Sequence, residues 1–264
     1  YLALTIQLIM IVKKKTFLMV CIQKKVVLKK FKINIMKEQK NFSVIIEARM
    51  GSKRLPKKVM FKVGKKTMIQ IMIKRLKLSK NIKEIIVATT RNKKDDVLAK
   101  HVKNISKVYR GSENNVLQRV IKAAERFKVH NIVKICGDSP LIDFKIMDYM
   151  ISKFKLQNVD YLSNNLKNTF PDGMDIEIVK TSALIKSYEF SKSKKNKEHV
   201  TYYIKKSPHF IKRNIKASKK NFNPKLKLTL DVFDDFLRIE KIIKSFKYKN
   251  YFSCSDIIKK NEKN

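Results

Sequence analysis

Residues 43–58 read "SVIIEARMGSKRLPKK". A short apolar, β-branched run leads at once into a segment carrying five basic side chains, one Gly and one Pro. The first half is a strand signal. The second half is a loop signal, because Gly widens the backbone's choices and Pro interrupts regular structure. Either this loop is one more basic patch or it holds something anionic, and the choice separates a polynucleotide binder from an enzyme acting on phosphates. Gly51 lets backbone N–H groups come close to a phosphate, and Arg49, Arg54 and Lys58 can add charge-assisted bonds. The segment is not a Walker A loop, since GxxxxGKS and GxxxxGKT are both absent, nor is it a GxGxxG dinucleotide loop.

Outward from this stretch, strand and helix signals alternate. "EIIVATT", "HNIVKIC" and "VDYLSNN" are further β-rich runs. Between them, Met68, Met72 and Leu76 fall on one helical face, and so do Leu117, Val120, Ala124 and Phe127. Such alternation predicts an α/β fold with a mostly parallel central sheet covered on both faces. No internal repeat or low-complexity linker divides the chain, and 264 residues suffice for one such domain.

The net charge of +40 resembles a nucleic-acid signature. However, 53 of the 62 basic residues are Lys and nine are Arg, while Gly and Pro number five each. Lys, Ile and Asn have AT-rich codons, so much of the charge reflects base composition spread over solvated faces. Arg would be the better bidentate phosphate reader, and it is scarce. Cys21, Cys136 and Cys254 are odd in number and form no CxxC pair, which points away from a zinc site or a disulfide framework and fits a reducing, cytoplasmic setting.

Residues 1–40 form an N-terminal extension outside the predicted catalytic domain at 41–264. "YLALTIQLIMIV" is too short to span a bilayer, and its positive charge follows the apolar run instead of preceding it. Two readings stand for residues 1–35: an upstream extension or open-reading-frame artefact ahead of Met36, and a membrane-surface anchor in which Lys flanks apolar patches.

In a chain this poor in Gly and Pro, the placement of those residues carries information. Gly51, Gly111, Gly137 and Gly173, with Pro56, Pro140 and Pro171, sit in four loops, three of which leave predicted strands. Ligands of open α/β sheets bind outside the carboxyl ends of strands, where these loops converge. "GDSPLID" puts Asp138 just past one strand, and "LKLTLDVFDDF" puts Asp231 at the predicted end of another. Taken alone, a carboxylate there can equally be a helix N-cap. Two of them beside a basic loop suit Mg²⁺, which needs one or two carboxylates and substrate phosphates.

"IIEARMGSKRLPKKVM", "GDSPLID", "FPDGMDIEI", "KEHVTYYI" and "LTLDVFDDF", in that order, resemble the cytidylyltransferases of the spore-coat polysaccharide type. These are relatives of the acylneuraminate and 3-deoxy-octulosonate cytidylyltransferases. The resemblance implies a single Rossmann-like nucleotide-diphospho-sugar transferase (GT-A-like) domain. It implies that CTP and an acidic sugar of nonulosonic or octulosonic type give a CMP-sugar and pyrophosphate with Mg²⁺, for surface polysaccharide or glycan biosynthesis. It further implies a homodimer, as is common among relatives, with no nucleic acid and no membrane span. Matched residue by residue, Arg49, Lys58 and Asp138 take the catalytic positions. Ala48, Gly51 and Ser52 join them around the nucleotide, together with Arg110 and Ser112 near the base and ribose. Asp138 and Asp231 match the metal carboxylates, and Asp172, Asp175, Glu177, Glu198 and His199 fall where the sugar is met.

The chain departs from that pattern in several places. Lys57 stands where Gly is common, Glu47 where Gln or Pro is usual, and Thr229 in place of an Asp of the neuraminate enzymes. "DVFDDF" replaces the commoner "DTPEDF". No general base is evident; His199 is a candidate, and a substrate-positioning role suits it as well. Two other classes stay open on the residues. One is a glycosyltransferase of the same fold that uses a nucleotide-sugar. The other is a basic protein binding nucleic acid or an anionic surface, since residues 1–40 hold only ten of the Lys residues and one Glu.

Overall fold

The computed structural model describes residues 41–191 and 193–262; both readings of residues 1–35, and the boundary drawn at residue 40, lie outside them. The opening apolar run forms β1 (Phe42–Glu47), which lies inside a seven-stranded sheet. Its alternate residues feed two cores. Val44 and Ile46 point to one face and Ile45 to the other, all three fully buried. A strand apolar on both sides needs cover on both sides, which the helices supply.

The remaining strands of this sheet are β4 (Ile85–Thr90), β5 (Lys107–Gly111), β6 (Asn131–Cys136), β7 (Tyr161–Ser163), β8 (Glu177–Lys180) and β9 (Lys212–Asn214). Two-residue strands β2 (Lys62–Val63) and β3 (Lys66–Thr67) make a separate antiparallel hairpin. The order across the large sheet is β5-β4-β1-β6-β8-β7-β9. β5, β4, β1 and β6 pair in parallel, β8 runs against both neighbours, and β7 and β9 are parallel to each other. From β1 the chain fills one side through β4 and β5, then returns to the other side through β6. The exits of β1 and β6 therefore flank a topological switch point, where open α/β sheets form their crevice.

One core is covered by α1 (Met68–Leu76), α2 (Asp96–Val102), α4 (Phe144–Leu156), α8 (Phe233–Ser245) and α9 (Cys254–Asn261). Met68, Met72 and Leu76 of α1 are fully buried, as their spacing predicts, and Thr67 caps the helix in a reciprocal box with Gln70. The other core is covered by α3 (Val116–Arg126), α5 (Thr181–Phe190) and α7 (Tyr202–Lys206). A short helix, α6 (Lys194–Glu198), precedes α7. Among the described residues, no helix is long and apolar enough to cross a membrane.

The sequence expectation fails at two elements. "LKLTLD" is not a strand: Lys227 makes an isolated bridge with Asp172, and the segment then runs extended to Asp231. "EIVK", for which no strand was expected, supplies the reversed strand β8.

Candidate active site

The exits of β1 and β6 touch directly. Gly137 N donates to Glu47 O at 2.9 Å, and a Cβ on Gly137 would lie 2.6 Å from that oxygen, so no side chain fits. This close approach brings Ala48 and Arg49 beside Asp138. The basic loop is then shaped by its own apolar residues: Met50, Leu55 and Val59 are buried, and Lys57 N donates to Met50 O. Asp95, fully buried, pins the loop by accepting from Met50 N at 2.6 Å and from the Thr90 hydroxyl. The turn requires φ of 62° at Lys57, a left-handed conformation that costs any side chain with a Cβ. That geometry explains why Gly is common there in the family that the sequence resembles.

The other wall comes from the end of the chain. Leu230 N donates to Asp138 O at 2.8 Å, and Leu228 N donates to Asp172 O at 2.7 Å. Gly173, at φ 95°, lies against this segment; a Cβ there would meet Leu228 C at 2.7 Å. Asp235 fixes the turn by accepting from Asp231 N, Val232 N, Lys227 and Arg238. Against the cost of burial, those donors hold its carboxyl well below the ordinary range.

Lys58 stands at the centre. Its Nζ is 3.2 Å from Asp138 Oδ2 and 3.1 Å from Asp231 Oδ1, with its side chain only 13% exposed. Arg54 adds a 2.8 Å ion pair to Asp231. Two carboxylates thus converge on one cation, and the ammonium occupies the kind of position a metal takes. The donor set suits Mg²⁺: hard oxygens from two carboxylates, with phosphate oxygens to complete the coordination. Among the described residues, no group of three or more His, Cys, Asp or Glu could hold a metal by itself.

The cleft around Lys58 has an accessible volume of about 420 Å³ and includes Ala48, Arg49, Ser52, Lys58, Asp138, Asp231, Glu198 and His199. The remaining expected site residues lie elsewhere. Arg110 is tied down by the Thr90 and Asn92 carbonyls and the Asp96 carboxylate. Ser112 accepts from Asn115 N at the start of α3, and Gly51 lies against Lys94. Asp172 accepts from the Thr229 hydroxyl, and burial pushes the Asp175 carboxyl up.

Glu177, expected at the sugar, is buried in the sheet. On β8, its carboxylate accepts from Lys205 Nζ at 3.0 Å and from the Thr201 hydroxyl, with Lys134 of β6 at 3.6 Å. Burial opposes its charge, but Lys134 and Lys205 prevail and bring its pKa down to about 2. Lys134 also reaches Glu47 at 3.5 Å. Burial works against its ammonium too, yet the surrounding Cys136, Glu177 and Glu47 raise it well above the ordinary Lys range.

Sequence reasoning missed Lys53, Val116, Arg119 and Cys136 of the cleft, and it noted Glu47 only as a departure from the family pattern. Arg119 had a legible signal. It sits three residues after Val116 on the otherwise apolar stripe of α3, a place where Arg needs a reason to be.

The model of the cytidylyltransferase family matches residues 43–260. The spore coat polysaccharide biosynthesis protein SpsF of Bacillus subtilis is 32% identical over 81% of this chain and 91% of its own length. A 3-deoxy-manno-octulosonate cytidylyltransferase of Hydrogenovibrio crunogenus is 30% identical over 44% of this chain and 48% of its own. The solved structure of a cytidylyltransferase from Leptospira borgpetersenii superposes with a TM-score of 0.81 at 33% identity, covering 85% of this chain and 95% of that one. With a matched family model spanning the whole sheet and every wall of the cleft, this chain belongs to the cytidylyltransferase family.

Proposed function

We propose that this chain transfers the cytidylyl group of CTP to a hydroxyl of an acidic sugar, releasing pyrophosphate. The observation that carries the reading is the bridge from Lys58 Nζ to both Asp138 and Asp231 beside a basic loop. In the reaction, the sugar oxygen forms a bond to the α-phosphorus as the bond to the β-phosphate oxygen breaks. The hydroxyl proton leaves to solvent or to a base, and His199 at the cleft rim is the candidate for that base or for a positioning group. Arg49, Lys53 and Lys58 bind and orient the phosphates and stabilise charge on the departing pyrophosphate. Asp138 and Asp231 would hold Mg²⁺, which when bound polarises phosphoryl oxygens and offsets their charge. Glu198 and His199 remain on the acceptor side. Asp172 and Asp175 stay part of the proposal on the acceptor side, as the family resemblance has them.

A nonulosonic or octulosonic acid as acceptor is supported by the family and by the basic residues around the cleft. A homodimer and a cytoplasmic location complete the proposal, resting on the family resemblance and on the supply of CTP. The test is pyrophosphate release from CTP and Mg²⁺ across a panel of such acids, with the mass of the CMP-sugar product measured. Release of a nucleoside mono- or diphosphate from a nucleotide-sugar would instead mark a glycosyltransferase. No pyrophosphate with any acid would refute the acceptor class.

A further inference from the structure

A second cavity, of about 320 Å³, lies between the β2–β3 hairpin, α1 and the end of α8, and it shares no residue with the cleft around Lys58. Val63, Ile71, Ile243, Tyr248 and Phe252 give it apolar walls. Arg75 also lines it. Its guanidinium lies 4.6 Å from the centre of the Phe252 ring and donates to the Leu141, Ile142 and Phe252 carbonyls, so it belongs to the fold and not to a ligand. The remaining charge is of one sign. Lys65, Lys66, Lys74 and Lys249 line the cavity and no carboxylate does; among the described residues, none of the four is held in an ion pair. Lys66 Nζ donates to Asn250 Oδ1 at 2.7 Å, and burial, then the like charge of Lys74, lower its pKa from the ordinary Lys value. One wall is also held in a costly backbone. Past the end of α8, Lys247 (φ 51°) and Tyr248 (φ 55°) are successive left-handed residues, a conformation that any Cβ disfavours. They set the Tyr248 ring against Gly64, where a Cβ would lie 3.4 Å from it. Backbone strain of this kind gathers at ligand clamps.

We propose that this cavity binds a small amphipathic monocarboxylate, with its hydrocarbon body among Val63, Ile71, Ile243 and Phe252 and its carboxylate at Lys66, Lys74 and the Asn250 amide. Each half of the ligand answers one observation. The apolar walls argue against a polyhydroxylated sugar, whose hydroxyls would go unmet, and against a bare inorganic anion, which would leave the walls uncovered. The unpaired ammoniums repel an apolar amine and favour a carboxylate over a neutral alcohol. Asn250 Oδ1 is taken by Lys66, which leaves Nδ2 to donate, so the two oxygens of a carboxylate meet an ammonium and an amide. The volume stands at the lower end of ligand pockets, about 300–1,000 Å³, and suits a free short-chain acid better than a two-chain lipid. The hairpin follows the turn that carries Lys58, and α8 begins just past Asp231. A ligand seated between them therefore ties together two elements that lead away from the cleft, and it stabilises the folded chain by mass action.

The test is isothermal titration of the full chain with octanoate, without CTP or sugar. One equivalent should bind, with hexanoate weaker and decanoate tighter, by up to about fourfold for each methylene buried. Octylammonium should not bind, and 1-octanol should bind about fivefold or more weakly than octanoate. The double variant Lys66→Met, Lys74→Met should weaken octanoate about fivefold or more, and Ile71→Gln about tenfold or more. Octanoate should also raise the Tm of the unaltered chain and leave that of the variants nearly unchanged. Equal binding of octanoate and octylammonium, an affinity that ignores chain length, or variants that bind like the unaltered chain would each overturn the proposal. So would the absence of octanoate binding; a dimer that Ile71→Gln converts to monomer would then assign the cavity to a second copy of the chain. Should Ile71→Gln not fold, the lysine variant and the comparison with octylammonium decide. Because CTP is absent from these titrations, either result leaves cytidylyl transfer untouched.

Discussion

Replacing Glu177 with Gln removes one charge from the buried network under the cleft while keeping the side chain's size. The carboxylate ordinarily titrates near 4.5 and here is brought down to about 2: burial pushes it up, and Lys134, Lys205 and the Thr201 hydroxyl outweigh that push. At about 1.4 kcal/mol per tenfold, the gap corresponds to about 3 kcal/mol of stability at pH 7. Because the folded-state value is the lower one, this contribution is complete above the unfolded value near 4.5. It is lost as pH falls toward 2, and about half remains at pH 3. Urea unfolding of wild type and Glu177→Gln at pH 7 and at pH 3 should therefore show the variant less stable by about 3 kcal/mol at the higher pH and by about half as much at the lower. The absence of a charge penalty at pH 7, or a difference that does not shrink with acid, would show that Glu177 is not an ionised partner of Lys134 and Lys205.

Three further outcomes follow from the geometry. Lys57→Gly should raise stability by about 1 kcal/mol, or about 2–4 °C in Tm, since Gly adopts the left-handed φ of 62° without a Cβ penalty; a thermal scan with no rise would refute that. Lys58→Ala and Arg49→Ala should weaken CTP about tenfold or more while affecting CMP less, because the proposed function sets them against the β- and γ-phosphates, and equal losses in titration would move them away from the leaving group. Gly173→Ala should cost about 3 kcal/mol or more and abolish turnover, as the new methyl drives into Leu228 and displaces the segment carrying Asp231; a stable, active variant would be incompatible with the contact.

Much of the fold was legible because one physical signal was clean. β1, β4 and β6 are apolar β-branched runs buried on both faces, and α1 and α3 repeat at helical period. The loops after β1 and β6 were legible for a different reason: Gly and Pro are rare enough here that each marks a backbone constraint, as Gly137 shows. β8 was hidden because its four residues carry too short an alternation, and a Glu at its start looks like a surface group until Lys134 and Lys205 are placed beside it. Asp231 was expected at a strand end. It reaches the same place through main-chain bonds that compositional patterns do not encode, Leu230 to Asp138 and Leu228 to Asp172. Arg110 shows the opposite limit, where a matching residue type is present but its guanidinium is spent on carbonyls of the neighbouring loop.

Those main-chain bonds also set the order in which the molecule can become an enzyme during synthesis. The strands β1, β4, β5 and β6, with Lys58 and Asp138, have all left the ribosome long before the segment at 226–231 is made. A nascent chain can therefore assemble its parallel sheet and basic loop while the second carboxylate does not yet exist. Only when Leu228 and Leu230 zip onto Asp172 and Asp138 does Asp231 arrive at Lys58. Chains truncated just before residue 231 would keep the parallel strands and the basic loop yet lack the second carboxylate.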